Sequence, residues 1–348
     1  MKRVYLDYNA TTPLALASRD AMIEAMDVIG NPSSVHAEGR AAKAIVEKSR
    51  RQVAEAVGAE PSEVVFTSGA TEACFLALSG NEIQGAEIEH DAVRAYCVNN
   101  LSVEHTGRVR LTEPSRCTLQ AANSETGLLQ SLPQDLFFSD MTQAFGKSPL
   151  AFGWSGIKMA AVSAHKIGGP KGVGALLVKK GVDFEARYGG GGQEMGRRSG
   201  TENIISIAGF GAAAQAAQRS LADGDWERVR DLRDEMEAAL LSASDNLIIV
   251  GKDEKRLPNT SCIIARGWKG ETQVMQMDLS GFAVSAGSAC SSGKVKASTV
   301  LTALGFDAEA ASCAVRVSLG PATTRQDINR FVDHWLAKKT TYMMKRVG

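Results

Sequence analysis

The chain has no long apolar run and no excess of charge of either sign. Its 348 residues include 39 basic and 39 acidic side chains, so the formal net charge is zero. The chain therefore lacks the excess of basic residues that is typical of proteins that bind nucleic acid. No apolar run approaches the roughly 20 residues that a bilayer-crossing helix needs, and residues 1–7 lack the apolar core of a signal peptide. We therefore expect a cytoplasmic protein with neither a nucleic-acid nor a membrane partner.

Cysteine is sparse and unpatterned. The six cysteines, at positions 74, 97, 117, 262, 290 and 313, form no CxxC pair and no metal-ligand spacing, so no metal site is predicted. In a reducing compartment they should be thiols. Internal repeats and low-complexity segments are also absent. A hydrophobic content of 44% and a charged content of 22% describe an ordinary globular protein, long enough for one large and one small domain.

Short apolar strands alternate with helices as far as about residue 178, which predicts a mostly parallel sheet covered by helices. The predicted helices cover residues 14–29, 35–57, 73–78, 225–241, 298–304 and 327–338. Predicted strands cover residues 64–66, 136–138 and 159–162, with two more, 247–250 and 261–265, in a smaller second domain.

The most informative motif is Ser163-Ala164-His165-Lys166, which follows a predicted strand and precedes a glycine-rich turn. A lysine held at a strand end away from water loses basicity and becomes an amine nucleophile. Amine nucleophiles form Schiff bases, most often with pyridoxal phosphate. The alternative interpretation of Lys166 is a solvated loop lysine.

Two other motifs favour pyridoxal phosphate. Asp140 follows another predicted strand, and a carboxylate against the pyridine nitrogen turns the cofactor into an electron sink. Asp140 is equally suited to capping a helix, and both interpretations can hold together. The turn at residues 67–72 lies between a strand and a helix, a geometry that points backbone N–H groups at a phosphate.

Together these motifs resemble the class V aminotransferase group of pyridoxal phosphate enzymes, most closely the cysteine desulfurases of the NifS/IscS type. The resemblance spans nearly the whole chain. In order, its segments are residues 5–13, 30–34, 66–72, 89–90, 123–127, 140–143, 163–166, 190–194, 198–201, 285–290 and 316–320.

The resemblance implies an α/β protein with the aspartate-aminotransferase-like fold, fold type I of the pyridoxal phosphate enzymes. The large domain would span residues 14–245 and contain a mostly parallel seven-stranded sheet. Residues 1–13 and 246–348 would form a smaller α+β domain that carries a catalytic cysteine loop.

The resemblance also assigns roles to the cofactor site. Lys166 would bind the cofactor as a Schiff base and then carry protons, Asp140 would pair with the pyridine nitrogen, and His90 would stack on the ring. Gln143 would reach the phenolic oxygen, with Asn123 close to both this oxygen and the substrate. The phosphate would be held by Ala70, Thr71, Ser163 and His165, and by Thr201 from the second subunit of a homodimer.

Arg316 and Cys290 would handle the substrate. Arg316 would bind its α-carboxylate with two parallel hydrogen bonds. Cys290, in a loop of small residues, would attack the sulfur of L-cysteine, leaving L-alanine and a persulfide. A sulfur-acceptor protein would then use the persulfide for iron–sulfur clusters, another sulfur-containing cofactor or tRNA. Cys74, Cys262 and Cys313 lie in apolar segments and are predicted to be small core residues.

Some positions depart from the family pattern. The chain is short around residues 78–87 and 101–114 and after its last helix, Gly168 replaces a usual aromatic residue, and Ser124 replaces a usual asparagine. Two other classes of function stay open: another class V enzyme, either a selenocysteine lyase or an aminotransferase, and a non-catalytic sulfur-relay partner.

Overall fold

The computed structural model describes residues 3–287 and 297–347, and within them helices and strands alternate as the sequence predicts. The α-helices of these residues are α1 (Leu16–Met26), α2 (Ala37–Val57), α3 (Ala70–Leu78), α4 (Asp91–Arg94), α5 (Phe152–Ser155), α6 (Ile204–Ala222), α7 (Asp225–Ala243), α8 (Gly270–Leu279), α9 (Thr299–Ala303), α10 (Ala308–Ser312) and α11 (Arg325–Val347). The strands are β1 (Val4–Tyr5), β2 (Val64–Thr67), β3 (Ile83–Ala86), β4 (Cys97–Leu101), β5 (Phe138–Asp140), β6 (Met159–Ser163), β7 (Gly174–Val178), β8 (Leu247–Ile249), β9 (Thr260–Ala265), β10 (Phe282–Ala283), β11 (Ser285–Ala286) and β12 (Ala314–Ser318).

The main sheet is mostly parallel, as predicted. Four strands lie in the order β2-β7-β6-β5, in which β5 and β6 are parallel and β7 runs antiparallel to both of its neighbours. The segment around Cys117 and Thr118 then bridges β5 to β3 with parallel pairing, and β4 follows β3 in parallel. Because β6 and β7 are buried along their whole length, their sequences are apolar without alternation.

The second sheet joins the two ends of the chain. It is antiparallel, in the order β11-β12-β9-β8, and the nearby β1 pairs in parallel with β10. The Leu6 N–H donates to the Ala283 carbonyl oxygen at 2.9 Å, and the Leu6 carbonyl accepts from the Ser318 N–H at 2.8 Å. Residues 4–7 therefore belong structurally with the C-terminal strands, which brings the N-terminal motif next to Arg316.

The ends of the helices depend on the residues at each end and their contacts, and the apolar periodicity of the sequence predicts them less well. Helix α2 ends where predicted, because Gly58 adopts the left-handed conformation at φ 66°. Helix α1 is shorter than predicted, beginning after Ala15 and ending at Met26. Helix α11 extends to Val347, beyond the predicted end at 338, and its Tyr342 and Met343 pack against the apolar cluster that contains Trp335.

The division into two domains at residues 13/14 and 245/246 stays a prediction. Buried apolar side chains of α7, α8 and α11 share one cluster with those of β9 and β12 and with Val4 and Leu6. Across the described part of the chain, none of the helices combines the length and apolar character of a bilayer-crossing segment.

Candidate cofactor-binding site

A cavity of about 620 Å³ lies where the strands of the main sheet end. Strands β5 and β6 are adjacent and parallel, so Asp140 at the end of β5 and Lys166, three residues after β6, lie at the same edge. The lining includes nine of the residues predicted for the site: Ala70, Thr71, His90, Asp140, Gln143, Ser163, His165, Lys166 and Arg316.

The Lys166 amine is held by the N-terminal motif. Its Nζ donates to the main-chain carbonyl oxygens of Asn9, at 2.6 Å, and Ala10, at 2.9 Å. The backbone is fixed as well, since the Thr12 hydroxyl donates to the Lys166 carbonyl at 2.8 Å and the Thr12 N–H donates to the carbonyl of His165 at 2.8 Å. The amine is thus aimed at one wall of the cavity.

Asp140 is close to a second carboxyl group, which is neutral. The Asp140 side chain accepts from the Thr142 N–H at 2.9 Å and so closes a local turn. The predicted helix cap is wrong, because turns and no helix directly follow Asp140 in the described chain. Burial, followed by the negative charge of Asp140, raises the pKa of Glu89 to about 8. At neutral pH Glu89 is therefore protonated, so it places no second negative charge beside Asp140.

The start of α3 forms the predicted anion cradle. Gly69, at its N-cap, provides no side-chain cap, so the first N–H groups of the helix are open toward the cavity. A methyl group added at Gly69 would meet no atom within 4 Å, so the space above the turn is open. Ser163 and His165 line the same cavity.

His165 is neutral at physiological pH. Burial, then the charges of Lys166, Lys171 and Lys147, lowers the pKa of His165 to about 4. Its Nδ1 lies 3.2 Å from the Thr11 hydroxyl. An unprotonated imidazole here can donate one hydrogen bond to a phosphate from one ring nitrogen.

Arg316 is buried, and two of its five N–H donors are bonded to described residues. It lies on β12, is 2% exposed, and its Nη2 donates to Asp7 Oδ1 at 2.8 Å while Nη1 donates to the Ser124 carbonyl at 3.1 Å. Ser285 steadies Asp7 by donating to its Oδ2 at 2.8 Å. Nη1 and Nη2 each keep a second hydrogen, and the Nε–H has no partner among the described residues. Because Arg316 lines the cavity, these remaining donors suit an incoming carboxylate.

His90 has its ring orientation fixed by the chain. It caps α4, and its Nδ1 accepts from the Ala92 N–H at 3.1 Å. An accepting Nδ1 places the ring proton of a neutral imidazole on Nε2. Because His90 lines the cavity, it is placed to face a bound ring.

Two predicted residues, Asn123 and Thr201, are not among the described lining residues, and a third, Cys290, is not described. Asn123 lies behind Ser124 and uses its amide within the chain, donating to the Ile88 carbonyl and accepting from the N–H groups of Glu125 and Thr126. Thr201 is exposed and borders a separate pocket of about 160 Å³. Cys290 lies outside the described residues. The roles of all three stay predictions.

Sequence reasoning gave no role to several residues of the site. Asn9 and Asp7 occur in the N-terminal motif, but only the fold reveals that they contact Lys166 and Arg316. Lys147 is fully buried behind the cavity, and one local signal marks it: it is the only charged residue between Asp140 and Lys158. Cys74 is buried as predicted, and it also lines the cavity.

The donor set fits pyridoxal phosphate. The open helix start with Ser163 and His165 suits a phosphate, Asp140 suits a pyridine nitrogen, and Lys166 supplies the amine. The remaining N–H donors of Arg316 suit the carboxylate of an amino acid. One cavity therefore contains groups suited to the phosphate, the ring nitrogen and the aldehyde of the cofactor and to the carboxylate of the substrate.

Comparison with known proteins agrees with this chemistry. The family model described as aminotransferase class-V matches residues 4–122 and 118–331. A protein named cysteine desulfurase, from Cereibacter sphaeroides, is 40% identical, with 96% of this chain and 95% of that protein aligned. A protein named cysteine desulfurase IscS, from Dictyoglomus turgidum, is 34% identical, with coverage of 96% and 94%.

Solved structures give the same result. The X-ray structure of a NifS-like protein from Rickettsia africae superposes with a TM-score of 0.86 and 31% identity, covering 96% of this chain and 98% of that one. These matches confirm both the resemblance and the fold that it implied. The chain belongs to the class V aminotransferase family of pyridoxal phosphate-dependent enzymes.

Proposed function

We propose that this protein is a cysteine desulfurase, which converts L-cysteine to L-alanine and takes the sulfur as a persulfide on Cys290. One observation carries the proposal. One cavity is lined by Lys166, Asp140, the open start of α3 and Arg316, which has N–H donors left for a ligand. The relatives named cysteine desulfurase, aligned over nearly the whole chain, support the choice of reaction within the family.

Each residue then has a defined task. Pyridoxal phosphate, when bound, supplies the electron sink that makes the bonds at the substrate α-carbon labile. Lys166 binds the cofactor covalently and carries protons at its Nζ, while Asp140 keeps the pyridine nitrogen protonated. Arg316, oriented by Asp7, binds the substrate carboxylate through its remaining N–H donors. The Cys290 thiolate takes the sulfur.

We further propose that a sulfur-acceptor protein, such as an iron–sulfur scaffold, removes the persulfide. The relative named IscS supports this direction. A cytoplasmic location is also proposed, because the five described cysteines are free thiols, the state that a reducing compartment maintains.

A homodimer is the proposed assembly. Several large apolar side chains between residues 14 and 35 are exposed, including Leu16 at 69%, Ile29 at 89% and Val35 at 88%. A second copy of the chain could cover them. Thr201 is exposed as well, so it can reach a neighbouring subunit's phosphate site, which is the role that its motif predicts.

Covalent labelling tests the proposed chemistry. The purified protein is incubated with pyridoxal phosphate, reduced with borohydride and digested, and the labelled peptide is identified by mass spectrometry. The proposal predicts a label on Lys166, loss of the label in Lys166→Ala, and retention in Lys171→Ala, whose side chain lines the same cavity. A label on any other lysine contradicts the assignment.

The product separates the remaining functions. Alanine formed from L-cysteine supports a desulfurase. A keto acid supports an aminotransferase, activity confined to selenocysteine supports a lyase, and an unlabelled, inactive protein supports a non-catalytic sulfur-relay partner.

A further inference from the structure

Lys147 is a buried lysine without a carboxylate partner. It is 2% exposed, and its Nζ donates to two amide oxygens, Gln143 Oε1 at 2.7 Å and Asn9 Oδ1 at 3.0 Å. Among the described residues, no aspartate or glutamate forms an ion pair with it. Burying an amine that is held only by amide oxygens costs free energy of folding, so Lys147 is a candidate for a role other than stabilising the fold.

Asn9 is the hub of the polar network around Lys147. Its Oδ1 also accepts from Asn259 Nδ2 at 3.0 Å, and its own Nδ2 donates to the Thr260 hydroxyl at 2.8 Å. Its main-chain oxygen accepts from Gln143 Nε2 at 2.9 Å and from Lys166 Nζ at 2.6 Å. Asn9 therefore cannot turn without breaking several buried hydrogen bonds, and it presents a fixed acceptor to Lys147.

Lys147 and the Asn9 carbonyl together fix which way the Gln143 amide points. The Lys147 Nζ donates to Gln143 Oε1, and the Asn9 main-chain oxygen, which can only accept, takes a hydrogen from Gln143 Nε2 on the other side. Gln143 lines the cavity, and one of its two Nε2 hydrogens is used by the Asn9 carbonyl. The other hydrogen is left for an acceptor in the cavity.

We propose that Lys147 is a positioning residue, which holds the Gln143 amide with its N–H₂ group toward the cofactor oxygen. The inference rests on the proposed function, because it takes that oxygen to be the phenolic oxygen of pyridoxal phosphate. Burial, then the charges of Lys166 and Arg316, lowers the pKa of Lys147 well below its ordinary value.

A double-mutant cycle tests whether Lys147 acts through Gln143. Lys147→Met keeps the length of the side chain and removes its donors, and Gln143→Ala removes the amide. For each variant and for the pair, we would measure the absorption maximum of the bound cofactor without substrate and the dissociation constant of pyridoxal phosphate. Lys43→Met, on the exposed side of α2, is the matched control.

We expect Lys147→Met alone to shift the absorption maximum and to weaken cofactor binding about tenfold, the effect of one lost hydrogen bond to a charged group. In the Gln143→Ala background the same change should have little further effect. Equal effects in both backgrounds, or no effect in either, would overturn the inference.

Two further measurements keep the outcome decisive. Lys147→Gln retains an N–H₂ donor without the amine, so its absorption maximum should lie closer to the wild-type value than that of Lys147→Met. If Lys147→Met does not fold, Lys147→Gln replaces it in the cycle. Labelling of wild-type Lys166 is scored separately. If wild type carries the label and Lys147→Met matches it in every readout, only this inference fails; if wild type takes up no cofactor, the proposed function fails.

Discussion

Glu89→Gln should change how stability depends on pH. Glu89 is 3% exposed, its Oε1 accepts from the Gln120 N–H at 2.8 Å, and its Oε2 is buried without a partner. Burial and the nearby Asp140 raise its pKa to about 8. An unfolded glutamate titrates near 4.3, so between these values the folded chain holds a proton that the unfolded chain has lost.

The magnitude follows from that difference. Wherever the folded state binds one proton more than the unfolded state, the free energy of unfolding falls by about 1.4 kcal/mol per pH unit. For Glu89 the loss amounts to about 2 kcal/mol between pH 6 and pH 8, and it levels off above pH 8. Glutamine is uncharged and similar in shape, so the variant should not show this loss.

The assay is urea unfolding at pH 6, 7 and 8. Relative to wild type, Glu89→Gln should become more stable as the pH rises, gaining about 2 kcal/mol over this range. Glu55→Gln is the matched control, because its carboxyl is exposed on α2 and is solvated in both folded and unfolded chains. Parallel pH profiles for wild type and Glu89→Gln would refute the reasoning that Glu89 is neutral beside Asp140.

Three further predictions concern the ion pairs and the dimer. Asp7→Asn removes the carboxylate that orients Arg316. The KM for cysteine should therefore rise about tenfold with kcat little changed, and an unchanged KM in steady-state kinetics would contradict this. Glu194→Gln removes the buried carboxylate that pairs with Arg50 and leaves only the half-exposed Glu47, so it should cost about 3–5 kcal/mol in urea unfolding. Glu47→Gln should cost under about 1 kcal/mol, and equal costs for the two variants would count against the prediction. Mixing Lys166→Ala and Thr201→Ala subunits should restore part of the activity through heterodimers with one intact site, and no recovery after verified subunit exchange would argue against shared sites.

Local sequence patterns were sufficient to predict helix ends and site positions where a single residue type determines the local structure. The end of α2 follows from Gly58, and the positions of Asp140 and Lys166 follow from apolar strands that stop beside polar residues. Because parallel strands present their carboxyl ends at one edge, two such positions predict a common site. The nine predicted residues that line the cavity came from motifs of this kind and from the family resemblance.

Elements without a periodic pattern were harder to predict. Helix α6 has no counterpart among the predicted elements, because it is rich in alanine and glycine and is buried on much of its surface. The later end of α11 depends on Tyr342 and Met343 packing against a cluster built from distant strands, and a sequence window cannot show that surface.

Contacts between distant residues could not be predicted from the sequence. Asn9 bonds to Lys147 across 138 positions, and Asp7 bonds to Arg316 across 309. Neither pair follows from spacing. The pairing of residues 4–7 with the C-terminal strands brings Asp7 to Arg316, and no local pattern marks the contact between Asn9 and Lys147. The partners that orient Lys166 and Arg316 are therefore a finding of the structure.

The most direct test of the central claim is the reaction of L-cysteine with wild-type protein and with Cys290→Ser. Alanine is quantified, and the peptide that contains Cys290 is weighed by mass spectrometry. We predict alanine from wild type with one added sulfur on Cys290, and background alanine from Cys290→Ser, because a serine hydroxyl is a far weaker nucleophile toward sulfur. Full alanine production by Cys290→Ser would contradict the desulfurase mechanism.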